Sequence, residues 1–323
     1  MKRSLLKNLL FLLLLGINCI AVGAQDTQQL PETSYGPAID PAKGYLVAEI
    51  DERLYWVTDG LYNAMFLVYD EGVIAVDAPP TIGQNYLKAI AEVTEKPVTH
   101  LVYSHSHTDH IGAAGLFPKG IEIVAHEDTK AILERRKDPR RPIPTKVFEK
   151  NHEIVLGDQL LRLTYHGKNH IEGNIFIHAP KQKVLMLVDV IFPGWVPFKN
   201  LGIAEDVPGY MEAHDIALDY DFETFIAGHV TRLGNRADVE VSKAFVTDLK
   251  ETAQQAFGKV DFMKSAQETG FEDKWKMYNT YFEKVVDVAT AEMKKKWDGK
   301  LGGIDTYLRD DVWAMCESLS VDF

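Results

Sequence analysis

Three histidines and an aspartate crowd into six positions, His105-Ser106-His107-Thr108-Asp109-His110, directly after the run Val98–Tyr103. That run reads as a buried strand, so the cluster sits on a loop at a strand end. A neutral imidazole offers one lone pair to a borderline-soft cation such as zinc. His105 and His107, two positions apart, can reach one metal from such a loop. Asp109 and His110 point elsewhere and can reach a second. A chain with this feature must fold so that further ligands converge on the loop.

Three candidates occupy other strand ends. His170 follows Leu160–Tyr165, and His229 follows Thr224-Phe225-Ile226-Ala227-Gly228. Asp189 follows Val184-Leu185-Met186-Leu187-Val188, an apolar run that would bury its carboxylate, which is costly without a partner. Asp77 ends an earlier strand-like run, Ile74-Ala75-Val76. Functional groups carried on loops held by a rigid sheet are how such scaffolds build a site.

With these motifs in this order, the sequence resembles the metallo-β-lactamase fold superfamily over roughly residues 46–236: His-x-His-x-Asp-His at 105–110, then His170, Asp189 and His229, with Asp77 ahead of them. The resemblance implies an α/β protein, a four-layer αβ/βα sandwich, here with a C-terminal helical extension. It also implies two metal ions, zinc by default, with iron or manganese as other divalent choices. His105, His107 and His170 would hold the first ion and Asp109, His110 and His229 the second, with Asp189 bridging them. Asp109 is also the candidate catalytic residue, and Asp77 would orient the histidine loop through hydrogen bonds. Five neutral imidazoles cancel no charge, and two carboxylates offset half of a total of +4. The remaining positive charge favours hydroxide at the bridging position, since coordination takes the pKa of water from 15.7 towards ~7.

Departures from the pattern narrow the substrate. No cysteine stands in the ligand set, unlike the cysteine-containing β-lactamase subclasses. The complete motif with Asp189 resembles the lactonase, glyoxalase II and related ester or thioester hydrolase branches. Lactonases of that kind place a tyrosine three residues after the bridging aspartate, where this chain has Phe192. The basic residues with which glyoxalase II binds glutathione are not recognisable in the tail. The expected activity is a metal-dependent hydrolase acting on a small carbonyl substrate: an ester, lactone, thioester or amide, β-lactams included. The competing expectations are a mononuclear iron persulfide dioxygenase and a non-catalytic accessory protein using the same fold. Phe192, Trp195 and Phe198 are candidate pocket walls, as is Tyr62 on an early hairpin, where Trp56 and Phe66 are weighed with it as a flap. His100, His126, His152, His166, His178 and His214 read as ordinary hydrogen-bonded histidines, with His126 and His166 nearest to strand ends.

Charge and composition bound the partners. The formal charge is −12, and removing Lys2, Arg3 and Lys7 with the first 24 residues would take it to −15. So acidic a chain is a poor grip for a phosphate backbone, so nucleic acid is not expected. Residues 1–24 read as a signal peptide: a basic start, an apolar run from Leu9 to Val22, and Val22-Gly23-Ala24 as a cleavage site. The run is shorter than the ~20 residues of a membrane span. The expected location is therefore periplasmic or secreted, without stable membrane insertion after cleavage. Cys316 would then be the remaining cysteine, read as a buried structural thiol.

Residues 25–45 read as a linker or irregular arm, 46–236 as the main domain, and 237–323 as a helical extension without proline that could support an oligomer. The Arg- and Pro-rich stretch 135–146 reads as a solvated surface loop.

Overall fold

The computed structural model describes residues 29–323, so the expected signal peptide lies outside the described residues. In chain order the strands are β1 (Leu46–Asp51), β2 (Leu54–Thr58), β3 (Asn63–Val68), β4 (Val73–Val76), β5 (Val98–Val102), β6 (Glu122–His126), β7 (Lys146–Phe148), β8 (Asn151–Leu156), β9 (Gln159–Thr164), β10 (Phe176–Ala179), β11 (Val184–Leu187) and β12 (Thr224–Ile226). The helices are α1 (Gln84–Val93), α2 (Thr108–Ile111), α3 (Glu127–Arg136), α4 (Lys199–Ile203), α5 (Val207–Asp219), α6 (Arg236–Lys259), α7 (Phe262–Thr269), α8 (Lys274–Trp297) and α9 (Ile304–Val321).

Two mixed sheets follow from this order. One runs β1-β2-β3-β4-β5-β6-β7, antiparallel as far as β4 and parallel beyond it. The other runs β12-β11-β10-β9-β8, with β11 and β12 parallel. Period-two alternation sends each strand's side chains to two different cores. Leu54, Trp56, Met65, Leu67, Ile74 and Val76 meet Leu161, Leu163, Ile177, Met186 and Val188 between the sheets. From the same strands, Val57, Phe66 and Ala75 face outwards to pack with Tyr86, Ala89 and Ile90 of α1 and Leu133 of α3. Burial on both faces explains why these strands read as continuous apolar runs.

The outer face of the second sheet is covered by helices from both sides of residue 237. Phe176, Leu185 and Phe225 share one buried cluster with Tyr210 of α5, Phe245 and Leu249 of α6, Val285 and Val286 of α8, and Leu308, Val312 and Met315 of α9. The fold is thus helix, sheet, sheet, helix, and the C-terminal helices are part of its fourth layer. Cys316 is buried there, and burial pushes its thiol up to about 12.

Several details differ from the sequence reading. Trp56 and Phe66 are core residues on opposite faces of the first sheet, which leaves Tyr62 alone near the histidine loop. The stretch 135–146 is not wholly solvated: Arg141 is buried and donates to the Ser106 carbonyl at 2.6 Å. Segment 199–203, on which the sequence pattern is silent, is α4 in name but not a regular helix, because Asn200, Leu201, Gly202 and Ile203 all have φ between 55° and 66°.

Candidate metal centre

The candidate ligands sit in segments that follow strands: the histidine loop after β5, running into α2, His170 between β9 and β10, Asp189 after β11 and His229 after β12. Asp77 closes β4 and Asp189 follows β11, both in the left-handed region at φ 59° and 62°. Aspartate tolerates that backbone better than most residues. The turn carries the Asp77 carboxylate under the histidine loop, where its Oδ1 accepts from the Ser104 amide at 2.8 Å. His229 follows β12, and the Asn63 amide donates to the Gly228 carbonyl at 3.0 Å, joining that strand end to the early hairpin.

Seven side chains converge as two overlapping groups: His105, His107, His170 and Asp189, and Asp109, His110, Asp189 and His229. In each group the facing ligand atoms lie within 4.8 Å of one another. In the first, His107 Nδ1 is 3.0 Å from His170 Nε2, while Asp189 Oδ2 is 3.3 Å from His170 Nε2 and 3.6 Å from His105 Nε2. In the second, His110 Nε2 is 3.1 Å from His229 Nε2, and Asp109 Oδ2 is 3.5 Å and 3.6 Å from those nitrogens. Asp189 belongs to both, with Oδ2 3.0 Å from His110 Nε2 and Oδ1 3.1 Å from His229 Nε2.

These separations match a metal's requirements. Two donors ~2.1 Å from a tetrahedral zinc lie ~3.4 Å apart, the edge of the tetrahedron. Buried His105 Nε2 has no hydrogen-bond partner, whereas its Nδ1 is engaged by the Ser104 hydroxyl at 3.0 Å. An orphaned buried ring nitrogen aimed at three other donors is the mark of a ligand.

For the three histidines of the first group, electrostatics point the same way. Burial pushes His105 well below the ordinary histidine range, with neighbouring imidazoles adding to the effect. Burial likewise lowers His107 and takes His170 down to about 4. These rings are neutral at physiological pH, the form that can bind a cation. For His110 burial acts downwards, but Asp189, Asp109 and Asp77 outweigh it and raise the ring to about 9. Burial alone would raise Asp189; His110 and His229 instead hold it well below the usual carboxylate range. Asp77 is pushed up to about 6 by burial, against the pull of His110 and Ser104.

Four supporting residues escaped sequence reasoning. Asn63 Nδ2 donates to the carbonyls of Ala227, His229 and Val230 at 3.0–3.1 Å, and its Oδ1 accepts from Trp56 Nε1. Asn169 Oδ1 accepts from the His170 amide at 2.6 Å and from Asn174 Nδ2 at 2.9 Å, while Asn174 Nδ2 also reaches the Val188 carbonyl. Arg141 braces the histidine loop at Ser106 and is itself held by Asp138. Buried asparagines beside strand ends were the available signal, but their type alone names no partner. His126 and His166 stay outside both groups: His126 pairs with the Glu149 carbonyl and His166 with the Tyr220 hydroxyl.

A cleft of about 500 Å³ opens over the two groups. Tyr62, Phe192, Trp195 and Phe198 lie on its wall, joined by Ile203 and by Tyr307 of α9. Tyr62 Oη lies 3.4 Å from Asp109 Oδ2, and burial together with Asp109 and Asp189 pushes its hydroxyl up to about 12. The C-terminal segment helps set the wall: the Val196 amide donates to the Gly302 carbonyl at 3.0 Å. The arm before β1 braces it too, since the Ser34 carbonyl accepts from Trp195 Nε1 and from the Thr231 hydroxyl.

Two sheets between helical layers, with histidines and aspartates converging beyond their strand ends, are the architecture of the metallo-β-lactamase fold. Residues 57–229 match the metallo-beta-lactamase superfamily, and the chain belongs to it. It is 30% identical over 202 residues to 2,4-dinitroanisole O-demethylase subunit alpha of Nocardioides sp. strain JS1661, covering 58% of this chain and 60% of that one. It is 28% identical over 127 residues to metallo-beta-lactamase type 2 of Elizabethkingia meningoseptica, covering 38% of this chain and 50% of that one. The chain thus spans between half and two thirds of the length of these relatives. Among solved structures, a metallo-beta-lactamase from Pontibacter korlensis superposes with a TM-score of 0.55 at 19% identity, covering 62% of this chain and 97% of that one.

Proposed function

We propose that this protein is an exported hydrolase that holds two divalent cations, zinc in the first instance, and cleaves a small ester, lactone, thioester or amide. One observation carries the reading: Asp189 stands between two sets of donors spaced for tetrahedral coordination, each oxygen facing one or both sets. His105, His107 and His170 would hold one ion, Asp109, His110 and His229 the other, and Asp189 both. Bound there, such ions supply Lewis acidity that lowers the pKa of water towards ~7 and polarises a carbonyl.

The chain's own groups do the rest. The aromatic wall excludes bulk water and holds the substrate body, which strengthens every charge interaction inside. Asp109 is the more exposed of the two carboxylates, its side chain 45% exposed against 7% for Asp189. Asp109 lines the cleft beside Tyr62; with Oδ2 turned to the ligand nitrogens, its other oxygen would be the one to pass a proton during turnover.

Export is supported by the basic and apolar pattern of residues 1–24. Among the described residues no helix is long and apolar enough to cross a membrane.

A substrate panel on zinc-loaded protein tests this reading. It should include esters, lactones, thioesters and β-lactams, with an aryl methyl ether added because one relative is named an O-demethylase of 2,4-dinitroanisole. Turnover of a carbonyl substrate, lost on chelation and restored by zinc, is expected. Activity that instead follows iron and consumes oxygen, or no turnover at all, would contradict it.

A further inference from the structure

We infer that the cleft selects an uncharged substrate with a flat, apolar body, and rejects substrates carrying an anionic group away from the reacting carbonyl. This rests on the proposed hydrolase reading for the position of the carbonyl, but on the wall alone for the selectivity.

Besides the metal ligands, the cleft is lined by Phe192, Trp195, Phe198, Ile203 and Tyr307. Phe192 lies nearly parallel to the His229 ring, 25° apart with centroids 6.2 Å apart, so the apolar lining begins beside a candidate ligand. Phe198 and Tyr307 meet edge to face at 5.2 Å in the same lining. Flat rings favour stacked or edge-on contacts with another ring.

Among the described residues, none that lines the cleft is lysine or arginine. The guanidinium of Arg232, close to Gly194 on the neighbouring loop, is committed elsewhere. It pairs with both Asp238 oxygens, at 2.6 and 2.9 Å, and its Nε donates to the Thr33 carbonyl at 2.6 Å. The charged side chains that do line the cleft, Asp109 and Asp189 with their histidines, belong to the metal centre. Away from the metals, a carboxylate on the substrate body would therefore be desolvated against rings, with no lysine or arginine in the lining to pair with it. A carboxylate-bearing β-lactam is such a substrate. A volume of about 500 Å³ accommodates one or two fused rings with a short acyl group.

The test uses the zinc-loaded full chain and two ketones that cannot be hydrolysed, 2-acetylnaphthalene and 6-acetyl-2-naphthoate. Titration calorimetry should show the neutral ketone binding at least about tenfold more tightly than the carboxylate. Phe198→Arg, which places a cation at the far end of the cleft, should narrow that gap. Equal or tighter binding of the carboxylate to the parent protein, or no binding of the neutral ketone, would overturn the inference. The corresponding esters, assayed in parallel, separate the two ideas. Selective ketone binding without ester turnover would sink the hydrolase reading and leave the selectivity standing.

Discussion

The Oδ1 of Asp311 accepts a 2.7 Å hydrogen bond from the Leu201 amide, joining residues 110 positions apart. Leu201 sits inside the run of four left-handed residues that ends at Ile203 on the cleft wall. Each such residue other than glycine costs about 1–2 kcal/mol, so the turn persists only because its surroundings fix it. Asp311, on α9 and fully buried, is one of the groups that fix it.

Asp311→Ala should destabilise the fold by about 1–3 kcal/mol in urea unfolding, because it leaves the Leu201 amide buried without a partner. Asp311→Asn keeps an acceptor and should be milder. Burial, then Asp310 after the opposing Leu201 bond, holds the Asp311 carboxyl well above its ordinary range, with Tyr210 also nearby. The native state therefore keeps a proton that the unfolded chain has lost above about pH 4. Wild-type stability should fall relative to Asp311→Asn as pH rises from about 4 towards neutrality. Parallel stability profiles for the two proteins would refute a protonated Asp311.

Asn63 joins the early hairpin to the strand end that carries His229. Asn63→Ala strips a donor from three carbonyls and an acceptor from Trp56, and should cost about 1–3 kcal/mol. Asn63→Asp restores the acceptor but turns a carboxylate towards those carbonyls, so it should do no better. Rescue by aspartate in chemical unfolding would show that the Trp56 bond alone matters.

Arg141 acts on the metal centre through Ser106. Arg141→Ala should leave the protein folded and weaken metal binding by about 10–100-fold in chelator competition. An unchanged competition curve would mean that the histidine loop holds its shape without this brace.

Gly228 precedes His229 where no side chain fits. A Cβ there would lie 2.4 Å from Val188 Cγ1, 2.7 Å from His110 Cε1 and 2.9 Å from Asp189 Oδ1. Gly228→Ala should therefore displace His110 or Asp189 and lower metal content while the helical signal is retained. Normal metal content in that variant would show that the centre can shift without loss.

Much of this was readable in the chain because it rests on local pattern. The histidine loop, the strands leading to Asp77, Asp189 and His229, and the long helices 236–259 and 274–297 all carry their periodicity in a few adjacent residues. Edge strands β1 and β7 carry a weaker signal, because each is partly exposed, the apolar run of β1 stops at Ala48 and β7 is three residues long. The left-handed turn at 199–203 depends on Asp311, and the buried state of Arg141 depends on a carbonyl 35 positions earlier. Such features are made by contacts distant in sequence, and residue type alone does not announce them. Tyr307 reaches the cleft for the same reason: an amphipathic tail does not disclose which surface it will cover.

The central claim is that seven side chains form two metal sites sharing Asp189. Its most direct test is metal content, measured by mass spectrometry on wild-type protein and Asp189→Ala, both purified without chelator and checked for folding by circular dichroism. The account predicts close to two ions per wild-type chain, with second-site occupancy and activity lost together in the folded variant. A stable value near one in active wild-type protein, or full metal content and activity in Asp189→Ala, would contradict it.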